Sequence, residues 1–105
     1  MSDLAHRLIE ENIKKQDPFL DLGNCSLKIL PEGLIELAWL VKLNLGGNYV
    51  SRIINESIFT KNNGLLNRLR NDSLQQLSKL NHLRSVDLSF NPVDDASFLK
   101  ELLYL

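Results

Sequence analysis

The chain has 105 residues, a net charge of −1 and a sequence pI near 6.1, so there is material for one modest core and no global charge that would favour nucleic acid or an anionic membrane. Cys25 is the only cysteine, which excludes an internal disulfide and gives no reason to expect an oxidising compartment. No segment has the roughly 18 consecutive apolar residues that a membrane span needs, and "MSDLAHRLIEENIKK", with early acids and no long apolar run, does not read as a signal peptide.

In chain order, residues 2–16 predict a helix. Ser2 is its expected N-cap, Leu4, Leu8, Ile9 and Ile13 form an apolar stripe, and Asp17-Pro18 ends it. Then comes "FLDLGNCSL", in which Leu20 and Leu22 alternate with polar residues at strand spacing. "LPEGLIELAWL" follows with leucines at 30, 34, 37 and 40, three or four apart, which predicts a short helical return. The strand pattern recurs in "LVKLNLGGNYV" and in "LRSVDLSFNPV".

Aligned, the copies read Leu20, Leu22, Cys25, Leu27, Leu30; Leu40, Leu43, Leu45, Asn48, Val50, Ile53; and Leu83, Val86, Leu88, Asn91, Val93, Ala96. Leucine supplies 23 of the 105 residues, a uniformity that suits a core built by repetition. A strand followed by a helical return cannot cover its own apolar edges, so neighbouring copies must stack. Each turn after a strand leaves backbone groups facing inward. An asparagine there supplies two donors and an acceptor, which makes Cys25, Asn48 and Asn91 the structural ladder positions, with Cys25 a packed thiol rather than a reactive one.

This pattern, L-x-x-L-x-L-x-x-N/C-x-L, resembles the leucine-rich repeat family. The resemblance implies an α/β fold: a short right-handed solenoid with parallel strands on a concave face, short helices on a convex face, and the first helix as an N-terminal cap. Similar cap helices begin many intracellular bacterial leucine-rich-repeat proteins, including Roco-type repeat regions, so a cytoplasmic bacterial module is expected. The expected division is cap 2–16, repeat one 17–39, repeat two 40–54, insertion 55–72, and repeat three with its preceding helix 73–105.

Copies two and three are 43 positions apart against 23 for copies one and two, which leaves an insertion or a degenerate repeat between them. A hidden repeat with its strand at Leu66 would put Arg68 and Ser73 at buried leucine positions, so an insertion is expected instead. "SLQQLSKLNHL" opens with the capping pair Ser73 and Gln76 and predicts another outer helix. After Ala96, Leu99, Leu102 and Leu105 the sequence has no capping motif.

Residue chemistry points away from catalysis. G-x-x-x-x-G-K-[ST], G-x-S-x-G and H-E-x-x-H are all missing, and His6 and His82 are isolated. Asp94-Asp95 reads as helix-start acids, Gly46-Gly47 as a repeat turn, and Trp39 and Phe90 as packing residues. No enzyme activity, cofactor or metal is expected. In the resembling family the residues between the strand leucines bind proteins, so the expected protein-binding face is Phe19, Asp21, Lys42, Asn44, Arg84, Ser85 and Asp87, the partner being unidentified. Two alternatives stand beside it: pairing with a second copy through an uncovered edge at Val86–Leu105, and a weak anion site on Lys61, Arg68, Arg70 and Lys79.

Overall fold

Three short strands lie side by side and parallel: β1 (Phe19–Asp21), β2 (Lys42–Asn44) and β5 (Ser85–Asp87), in the order β1-β2-β5. The computed structural model describes residues 3–50, 57–70 and 75–88. The expected cap at Ser2, the capping role of Ser73, and everything expected of residues 89–105, Phe90, Asn91 and the Asp94-Asp95 pair included, lie outside these residues.

The register is Leu20↔Leu43↔Val86, which aligns the three copies as their leucines predict. Hydrogen bonds repeat with it. The Pro18 carbonyl accepts from Val41 N (2.9 Å) and Lys42 N (3.0 Å), and one level on the Val41 carbonyl accepts from Arg84 N (2.8 Å) and Ser85 N (3.1 Å). At the far end Leu22 N donates to the Asn44 carbonyl and Leu45 N to the Asp87 carbonyl, both at 2.9 Å. Buried Leu20, Leu43 and Val86 belong to one core with Leu22 and Leu45.

Each crossover passes through a 3-10 helix, Leu34–Glu36 and then Gln75–Lys79, and the two pack together. These are tighter than α-helical returns. Leu34 and Leu77, and likewise Leu37 and Leu80, are buried at matching places. Helix α1 (Asp3–Lys15) contacts β1. Its buried stripe is Ala5, Ile9 and Asn12, with Leu4 and Leu8 partly buried and Ile13 exposed, so the face is rotated from the expected one. Gln16 then turns left-handed (φ 51°) and stops the helix, its N–H returning to the Asn12 carbonyl at 2.6 Å.

The excess sequence enters earlier than expected. Directly after Gly47, β3 (Asn48–Val50) and β4 (Ser57–Phe59) pair antiparallel, Asn48 opposite Phe59, and Thr60 N donates to the Gly47 carbonyl at 3.1 Å. The returning chain runs beside the turn that follows β1: Ser26 N donates to the Leu65 carbonyl (2.9 Å) and Arg68 N to the Leu27 carbonyl (2.7 Å). Leu69 is buried in the core, as Leu27 is.

The assignments of Asn48 to the ladder and Val50 to the following leucine position are therefore corrected: both residues lie in a hairpin strand, and Asn67 and Leu69 stand at those places. Cys25 and Asn67 are 42 positions apart, 19 more than the spacing of Leu20 and Leu43. The surplus thus lies at about 47–65 rather than 55–72. A repeat reports how many residues are surplus without saying where they leave the pattern, and Asn48 imitated the ladder by standing three residues after Leu45.

Candidate functional site

Side chains alternate across a strand, so the residues flanking Leu20, Leu43 and Val86 share the face away from those leucines. The register sorts them into two rows: Phe19, Lys42 and Ser85 in one, and Asp21, Asn44 and Asp87 in the other. The rows differ in what they can do.

The second row is built into the structure. Asn44 is 0% exposed; its Nδ2 donates to Asp21 Oδ1 (2.8 Å) and to the Gly46 carbonyl (3.1 Å), and its Oδ1 accepts from Gly46 N (3.0 Å). Asp21 also accepts from Gly23 N (2.9 Å) and from Thr60 Oγ1 (2.6 Å). The expectation that Asn44 faces a partner is corrected, and the Asp21 carboxylate is occupied by three donors. A polar side chain that ties adjacent levels looks in sequence like one that faces solvent, because both fall between leucines.

The first row is half-buried and more open. Lys42 Nζ sits 5.8 Å from the centre of the Phe19 ring, a cation–π contact that fixes the two side chains relative to each other. Ser85 is half-buried, and Arg84, next to the row, is exposed. Asp87 is half-buried at the end of the second row.

The turn between β1 and the first 3-10 helix is held by residues from after the hairpin. Asn67, 2% exposed, uses all its hydrogen-bonding capacity: Oδ1 accepts from Cys25 N (3.1 Å) and Leu27 N (2.9 Å), and Nδ2 donates to the carbonyls of Leu22 (2.8 Å) and Leu45 (2.9 Å). Asn62 Nδ2 donates to the carbonyls of Asp21 (3.0 Å) and Gly23 (2.9 Å). Neither residue nor Thr60 was flagged by the repeat pattern. Only Asn67 carries a signal for it, the N-x-L run Asn67-Arg68-Leu69.

Cys25 is fully buried, and burial, with the Asp21 charge as a lesser cause, pushes its thiol up to about 12. It is neutral near pH 7 and poorly suited to nucleophilic attack. Trp39, half-buried, donates its indole N–H to Asn12 Oδ1 at 2.5 Å, so it packs against α1. Among the described residues there is no cluster of three or more His, Cys, Asp or Glu side chains placed to hold a metal ion, and no helix is long and apolar enough to cross a membrane. Of the edge expected to pair with a second copy, only Val86–Leu88 is described.

Compared with known proteins, the chain matches no family model, no curated protein and no solved structure.

Proposed function

We propose that this chain is a short leucine-rich-repeat-like solenoid that acts as a non-catalytic protein-recognition module. One observation carries the proposal: Phe19, Lys42 and Ser85 stand in strict register on adjacent parallel strands, with exposed Arg84 beside them. An aromatic ring, a cation and a hydroxyl spaced at the strand separation of about 4.8 Å make a rigid, chemically mixed strip. Aromatic residues and arginine are also the types that most often dominate binding energy. Thr60 and Asn62 engage the Asp21 end of the second row, so the proposed surface is narrower than the full set of residues between the strand leucines. A single reduced, buried cysteine suits a cytoplasmic protein.

The test is affinity capture from a native lysate, comparing the unaltered chain with the triple variant Phe19→Ala, Lys42→Glu, Arg84→Glu after circular dichroism has shown both to be folded. Specific partners should drop by about tenfold or more for the variant. An unchanged set of captured proteins would remove this face from consideration.

A further inference from the structure

A second surface lies away from the strand rows, between the turn after β1 and the returning chain. A groove of about 340 Å³ opens there, lined by Ser26, Leu27, Lys28, Leu65, Leu66 and Arg68. Leu65 is 77% and Leu66 49% exposed, and neighbouring Ile29 is 64% exposed. Apolar groups held open to water in a fixed place mark a contact surface. They are held: Leu65 N donates to Ser26 Oγ (2.9 Å), Ser26 N to the Leu65 carbonyl (2.9 Å) and Arg68 N to the Leu27 carbonyl (2.7 Å).

Charge defines what fits. Along residues 67–70 burial alternates, with Asn67 and Leu69 buried and Arg68 and Arg70 exposed, and Arg68 lines the groove. Lys28 stands on the opposite wall, and among the described residues no acidic side chain lines the groove. Neither Lys28 nor Arg68 has an ionic partner among the described residues, and the backbone groups of Lys28 and Leu66 have no hydrogen-bond partner there.

We propose that this groove docks a short extended segment of a partner protein in which acidic residues flank one or two leucine-like residues. The apolar side chain enters over Leu27 between Leu65 and Leu66, the carboxylates meet Lys28 and Arg68, and the segment's backbone bonds to the open groups of Leu66 and Lys28. A membrane surface is the weaker fit, because few cations flank the groove and its apolar groups line a concavity rather than a protruding face.

Fluorescence anisotropy with the full chain tests this, using a labelled peptide of two leucines set among aspartates and glutamates. Binding should saturate, weaken about tenfold with Arg68→Glu or Leu66→Ser, and weaken several-fold when ionic strength rises from about 0.05 to 0.3 M. Lys28→Glu serves as an independent variant; all three positions are exposed, and circular dichroism checks their folding. The triple variant of the strand face should bind the peptide normally. Several outcomes overturn the proposal: no binding at about 1 mM peptide, equal binding of a peptide with lysines in place of its acids, indifference to the groove variants, or binding of phosphatidylserine vesicles alone.

Discussion

Replacing Asn67 with alanine removes the side-chain partner of four backbone groups at once: two N–H groups in the turn after β1 and the carbonyls of Leu22 and Leu45. Each unsatisfied buried group costs about 1–3 kcal/mol, so we expect a loss of about 3 kcal/mol or more, read as a lower urea midpoint. Asn67→Asp is the sharper probe, because it keeps shape and acceptor but turns a carboxylate toward two carbonyls; it should be at least as damaging. Cys25 supplies a pH dependence. Its thiol ionises at about 12 in the folded chain against an ordinary 9.0. Between those values the unfolded chain releases a proton that the folded chain keeps, so this contribution is complete below about pH 9 and is lost as pH rises toward 12. Urea midpoints between about pH 8 and 11 should fall more steeply for the native sequence than for Cys25→Ala, the difference isolating the thiol from lysine and tyrosine titration.

At the scale of elements, α1 packs through its Ala5–Ile9–Asn12 stripe, and Trp39 Nε1 donates to Asn12 Oδ1. Trp39→Phe keeps most of the ring but leaves a buried acceptor without that donor. We expect about 1–2 kcal/mol of destabilisation, with amides of α1 exchanging hydrogen faster than those of β2. The strands and their register were readable in the sequence because a period of two with leucine on one side admits one buried face. The outer returns were readable in position but not in type: leucines three or four apart fit a 3-10 turn as well as an α-helix. The rotated face of α1 has no signature in the apolar pattern because Asn12, a polar residue, is buried to hold the Asp17 carbonyl at 3.1 Å and Trp39. Asn44 drops out of the expected binding face for a related reason, since it ties two strands together rather than facing outward.

For the molecule as a whole, adjacent levels shelter one another, and the contact is close enough to dictate composition. A Cβ on Gly23 would lie 2.2 Å from the Gly46 carbonyl oxygen, so no side chain is tolerated where these turns stack. The hairpin at Asn48–Phe59 obeys a different rule. Its first and last residues are partnered, and Thr60 N already reaches the Gly47 carbonyl, so the chain departs and returns through one narrow gate. The leucine spacing on either side is consequently independent of how many residues separate β3 from β4. A foreign loop, an epitope or a reporter grafted between them should be carried as a passenger, at the small entropic cost of a longer closure and without shifting a single rung of the parallel sheet.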